Sequence, residues 1–155
     1  MNHKLMIAFA MLGFALITGS ITHDSSALNP PGGTIRITGR DFQVAVDNRG
    51  SSKRGTGDVL LIRQLLFNKG ITQKAIGHSD IVCTYTGGPR SRQCNGTYFL
   101  PKGKIVVSGS LRYRGFFKLA VVGGTDLYDN VRGSVTGTQL ARGPRRELLV
   151  FRLIA

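Results

Sequence analysis

No apolar stripe at helical spacing survives beyond residue 34 of this chain. In its place come eight short strand-like runs, at about 34–46, 58–67, 75–86, 94–100, 103–111, 116–122, 131–141 and 146–154. Turn signals separate them: Asn48 to Gly57, Asn68 to Gly70, Pro101 to Gly103, Gly143 to Pro144. Short strands at such spacing imply a sandwich or a barrel. An even number of hairpin-connected strands can close on itself and leave no unpaired edge. The first run changes parity, with Ile35 and Ile37 on one face and Phe42, Val44 and Val46 on the other, so a bulge is expected near Gly39.

The sharpest punctuation lies in residues 119–139, LAVVGGTDLYDNVRGSVTGTQ. A buried run ends at Gly123-Gly124-Thr125, and a short polar connection around Tyr128 leads to Arg132-Gly133. A Gly–Val–Gly alternation then suits a curved strand. Upstream stands CNGTYFLPKGKIVVSG, residues 94–109, and the chain closes on RELLVFRLIA. In this order these three segments resemble the allene oxide cyclase barrel family and its plant dirigent relatives. The resemblance spans residues 55–155 and, more faintly, 34–46.

The resemblance implies an all-β fold, an eight-stranded antiparallel β-barrel of the calycin type over residues 34–155. It also implies a lumen that holds one small ligand and no cofactor or metal. Proteins of this kind bind a lipophilic or phenolic molecule and direct its cyclisation or stereoselective coupling, so an isomerase or cyclase activity is one expectation. Homo-oligomers are common among them.

Asp58, at the start of the second run, matches an Asp of both relatives and is a candidate catalytic group; the structural alternative is a turn acid that binds backbone amides. Arg132 matches a dirigent cavity cation and is the second catalytic candidate, with Asp58 or Asp126 as its partner; the alternative is an exposed loop arginine. Tyr85, Tyr98, Asp126 and Tyr128 are candidate ligand-binding residues, against the commoner role of core tyrosines. Plant allene oxide cyclases carry a cavity glutamate on the first strand, yet TIRITGRDFQVAV contains none. Asp41 substitutes there only if the bulge turns it inward. Glu147, near the last strand, is the single Glu of the chain.

Two further features bound the class. Lys4 precedes an apolar run at residues 5–17, short for a membrane span and suited to a secretory signal, so residues 1–27 read as a signal peptide and 28–33 as a flexible leader. Secretion into an oxidising compartment makes a disulfide the natural state of Cys83 and Cys94, which flank a Gly87-Gly88-Pro89 turn. One histidine in the barrel region, His78, cannot build a metal site, and no Ser or Cys has a visible base partner.

The net charge is +13. It sits in turns and strand ends, at Arg49, Lys53, Arg54, Arg90, Arg92, Arg112, Arg114, Arg142, Arg145 and Arg146. Such a surface attracts acidic polymers of a cell surface, which gives the rival reading: a secreted cationic binding protein with an inert barrel. Nucleic acid is disfavoured, because aromatics interleave with basic residues only at 112–117.

Overall fold

The computed structural model describes residues 32–50, 54–68, 74–143 and 145–154. The signal peptide and most of the leader expected from the sequence lie outside these residues. Eight antiparallel strands, β1 (Gly33–Asp47), β2 (Val59–Phe67), β3 (Gly77–Gly87), β4 (Ser91–Leu100), β5 (Gly103–Arg112), β6 (Phe116–Gly124), β7 (Arg132–Arg142) and β8 (Arg145–Ile154), pair in chain order. β8 returns to β1, from Gly33↔Leu153 to Arg40↔Arg146, and closes the barrel. Every strand therefore has a neighbour on both sides, and no strand is left as a free edge to recruit another chain.

Alternation fills the lumen. Leu60, Ile62, Leu66, Ile81, Ile105, Val107, Leu119, Val121, Val135, Leu149 and Phe151 are buried, while their sequence neighbours lie mostly toward the outer surface. The Gly–Val–Gly face of β7 has a packing reason: a Cβ on Gly137 would overlap the ring of Phe117, which lies across the glycine. At the end of β6, a Cβ on Gly124 would run into the Tyr128 carbonyl, so the Gly-Gly-Thr turn permits a close backbone approach there. That turn leads into a 3-10 turn, Asp126–Tyr128, whose tyrosine is buried in the core.

Two irregularities shape the site. The bulge falls at Phe42, three residues beyond the expected Gly39. Asp41 pairs with Gln64 and Gln43 with Arg63, leaving Phe42 as the extra residue and Asp41 beside an inward-facing partner. The β5–β6 ladder is short, running only from Ile105↔Gly124 to Ser108↔Ala120, with a register shift after Val106. Beyond Ser108 the two strands carry no pairing, and Leu111, Phe117 and Leu119 face the lumen at that seam.

Candidate active site in the barrel lumen

In an antiparallel barrel the links alternate between two ends. The β1–β2, β3–β4, β5–β6 and β7–β8 links share one end, called the mouth here, and the Gly-Gly-Thr link between β6 and β7 lies at the other. Polar side chains enter the lumen on the mouth side. β8 supplies Arg145 and Glu147 at alternate positions, β2 supplies Gln64, β1 supplies Asp41 through its bulge, β4 supplies Arg92, and Tyr113 follows β5.

Glu147 is buried and forms the hub. Its Oε1 accepts from the Tyr113 hydroxyl at 2.9 Å and from Arg145 Nη2 at 2.6 Å, while its Oε2 accepts from Gln64 Nε2 at 2.9 Å. The same Gln64 Nε2 donates to Asp41 Oδ1 at 2.9 Å, so one amide group bridges two carboxylates. Ser79 fixes the other end of that amide, its Oγ donating to Gln64 Oε1 at 3.3 Å. Arg145 also approaches Asp41 Oδ2, at 3.8 Å, and its guanidinium stacks 4.4 Å from the Tyr113 ring centre.

Burial pushes the Asp41 carboxyl above the usual aspartate range, the nearby Glu147 adds to the rise, and Gln64 and Arg145 oppose it. Burial and Glu147 likewise raise the phenols of Tyr98 and Tyr113, so both remain protonated donors at neutral pH. For Arg145, burial alone would disfavour the charge, but Glu147 more than offsets it and the guanidinium pKa rises. The arrangement holds a carboxylate, a phenol and a guanidinium together against an apolar wall. It can exchange a proton with a bound molecule and stabilise the charge that results.

A small cavity of about 30 Å³ adjoins this cluster, lined by Glu147, Arg145, Arg92, Tyr113, Gln64 and the Cys83–Cys94 pair among others. The disulfide joins directly opposed residues of β3 and β4, with an S–S distance of 2.04 Å and a Cα–Cα distance of 4.0 Å. A larger hollow, of about 280 Å³, lies on the outer surface between Gln43, Ala45, Leu61 and Val82. Its charged residues, Arg63 and Asp80, already pair with each other at 2.7 Å, so it offers no unsatisfied chemistry.

The residues singled out from the sequence are placed as follows. Asp58 is buried at the mouth rim, and its carboxylate accepts from the amides of Arg49 and Gly55, each at 2.8 Å. These bonds, Gly55 first, hold its carboxyl below the usual range. Arg132 is exposed at the far end, where Nη1 donates to the Val131 carbonyl at 3.0 Å. Asp126 is exposed at the same end and accepts from the Thr125 hydroxyl at 2.8 Å. Tyr128 is buried at that end. Tyr85 and Tyr98 are fully buried in the lumen, and among the described residues neither hydroxyl has a hydrogen-bond partner.

Sequence reading passed over Gln64, Arg92, Tyr113 and Arg145 as chemistry. The available signal was inward parity: a polar residue among alternating apolar ones faces the core and needs a partner. Arg145 had been grouped with the surface cations, whereas it turns inward onto the single Glu of the chain. Among the described residues no group of three His, Cys, Asp or Glu could hold a metal, and no helix is long and apolar enough to cross a membrane.

The fold defines a class, the eight-stranded antiparallel barrel shared by dirigent proteins and cyclases. The chain is similar to a pyocyanin demethylase, at 22% identity and a TM-score of 0.69, over 79% of this chain and 100% of that one. A pterocarpan synthase dirigent protein superposes with a TM-score of 0.63 at 12% identity, covering 81% of this chain and 94% of the other. The Diels Alderase AbmU from Streptomyces koyangensis gives 0.58 at 12% identity, over 78% and 64%. No protein-family model and no curated protein sequence matches the chain.

Proposed function

We propose that this barrel binds a small lipophilic, aromatic or phenolic molecule in its lumen and directs its rearrangement or coupling by acid–base chemistry. The observation that carries the reading is the Asp41–Gln64–Glu147 bridge, two carboxylates from opposite ends of the chain sharing one amide inside an apolar lumen. Glu147, at the cavity, exchanges a proton with the ligand. Arg145 compensates charge, and the Tyr113 hydroxyl holds the carboxylate in orientation. Asp41 acts through Gln64 as the second proton-holding group, in keeping with its raised pKa.

The similar proteins support this reading through what they act on: pyocyanin for one, a pterocarpan synthesis for another, a Diels–Alder product for a third. Each is small-molecule chemistry in a barrel of this shape. A cavity of about 30 Å³ holds roughly one water, so an aromatic ligand must open it. The unpaired β5–β6 seam offers the place, because Leu111 is only partly buried there and can turn outward while Tyr113 keeps its bond to Glu147. Asp58 and Arg132 have no part in the chemistry of this reading: the first braces the β1–β2 link, the second lies outside the lumen. Secretion belongs to the same proposal and rests on the apolar amino-terminal run together with the disulfide.

The test is a panel of phenols and planar aromatics, pyocyanin included, followed by calorimetry and by mass spectrometry of products. Glu147→Gln is expected to keep binding within a few-fold and to lower turnover by about 100-fold or more. Turnover that survives Glu147→Gln would remove the assignment. Retention on an acidic polymer that is lost at high salt, with no lumen ligand found, would favour the cationic-surface reading instead.

A further inference from the structure

Arg92 is the one lumen cation that the acid–base cluster leaves uncommitted. It alternates inward with Cys94 on β4 and is only 8% exposed. Both lumen carboxylates are engaged elsewhere, Glu147 by Arg145, Tyr113 and Gln64, and Asp41 by Gln64 and Arg145. Among the described residues no acid pairs with Arg92, and its Nε has no hydrogen-bond partner. Two rings hold it instead, Tyr85 at 4.9 Å and Tyr113 at 5.5 Å from the guanidinium carbon. A cation–π contact recovers only part of what it costs to bury an unpaired charge. Burial first, and then Arg145 and Arg54, make its charge harder to hold, with Tyr85 and Tyr113 opposing them.

A second, independent observation points the same way. The links and strand ends at the mouth carry exposed Arg54, Arg90, Arg112, Arg114 and Arg142, with Asp47 as the exposed acid there, already paired with Arg49 at 3.2 Å; the opposite end mixes Asp126 and Asp129 with Lys102, Lys104 and Arg132. Such a rim draws anions toward the mouth and speeds their encounter.

We propose that Arg92 is the anchor for an anionic oxygen on the ligand, so that the barrel selects a planar aromatic bearing a carboxylate or phenolate. The guanidinium carbon lies 4.9 Å from the Tyr85 ring centre and 5.5 Å from that of Tyr113, and Arg92 lines the cavity shared with Glu147. The anion takes the free donors while the ring lies toward Phe117 and Leu119 on the apolar wall. This rests on the lumen being the ligand site, as proposed above.

The experiment measures calorimetric affinities of benzoate, naphthoate and phenazine carboxylate against their uncharged amides, and of naphthol below and above its own ionisation. Wild-type protein, Arg92→Gln and Arg92→Lys are compared at two salt concentrations. A charge-assisted contact predicts that at least one carboxylate or naphtholate binds about tenfold or more tighter than its neutral counterpart. Arg92→Gln is expected to abolish that preference while leaving the neutral compound within about twofold, and Arg92→Lys to keep part of it. Equal affinity of acid and amide in the wild-type protein overturns the anchor and leaves the lumen reading standing, whatever the variants do. A preference unchanged in Arg92→Gln and erased by salt assigns the anion to the rim and also overturns it. Failure of every compound, charged and neutral, overturns the anchor and the lumen reading together.

Discussion

The two ends of this barrel are built from the same alternation and do opposite things with their polar residues. At the Gly-Gly-Thr end, Asp126 and Arg132 are exposed, their contacts are local, and Tyr128 is buried in the core. At the mouth end, Asp41, Gln64, Arg92, Tyr113, Arg145 and Glu147 come from four strands and one link and converge inside. The first end is easily seen in sequence because its residues are contiguous. The second is nearly silent there, because its members are scattered along the chain from Asp41 to Glu147. Contiguity makes a turn; convergence makes a site.

The largest effect that would test this contrast is Glu147→Ala. It strands the buried Arg145 charge and unpairs Gln64 and Tyr113, and is expected to cost about 3–5 kcal/mol in chemical denaturation. A loss below about 1 kcal/mol would show that the cluster is solvated and the mouth more open than described. Next comes removal of the cross-strand clip. Cys83→Ala with Cys94→Ala releases a closure between residues separated by 11 positions and should cost roughly 3 kcal/mol on the chain-entropy account. Reductant should reproduce that loss in the wild-type protein, and identical stability with and without reductant would contradict it.

Gly137→Ala probes the wall between the ends. The added methyl must displace the Phe117 ring, with an expected cost of about 1–3 kcal/mol and altered ligand affinity at the seam. A smaller effect separates the two buried acids by the sign of their pH dependence. Asp41 has its pKa raised on folding, so its contribution is complete below the usual aspartate range and fades as pH rises through the raised value. Asp58 has its pKa lowered, so its contribution is present above that range and is lost as pH falls through the depressed value. Melting curves of Asp41→Asn and Asp58→Asn against pH should therefore lose opposite slopes; parallel changes would mean that one carboxylate is misassigned. Arg132→Ala sits at the bottom of the order, within about 0.5 kcal/mol of wild type and without effect on lumen binding. Impaired binding in that variant would restore the far end as part of the site.

The architecture was legible because strand alternation is local. Eight runs separated by turn residues name their own inward faces, and a hairpin chain of even number has closure as its natural outcome. The disulfide was legible for a similar reason, since Cys83 and Cys94 flank a tight turn and oppose each other across one hairpin. Asp58 showed its turn-acid alternative in the Gly55-Thr56-Gly57 that precedes it, and two backbone amides bind it in the fold. Bulge placement was less legible: the parity change in β1 announced one, but whether it spared Asp41 depended on which residue was extruded.

What the sequence determined by itself is the barrel, its inward faces and the clip between two neighbouring strands, since each follows from residues within one run or one turn. The tertiary structure alone decided that the glutamate of the last strand would meet Asp41 of the first across one amide. It also decided that Arg145 would leave the cationic surface to meet that glutamate, and that Arg92 would stay without an acid. The physical reason is closure: Asp41 and Glu147 are 106 positions apart in the chain and share a hydrogen-bonded amide only because β8 pairs with β1.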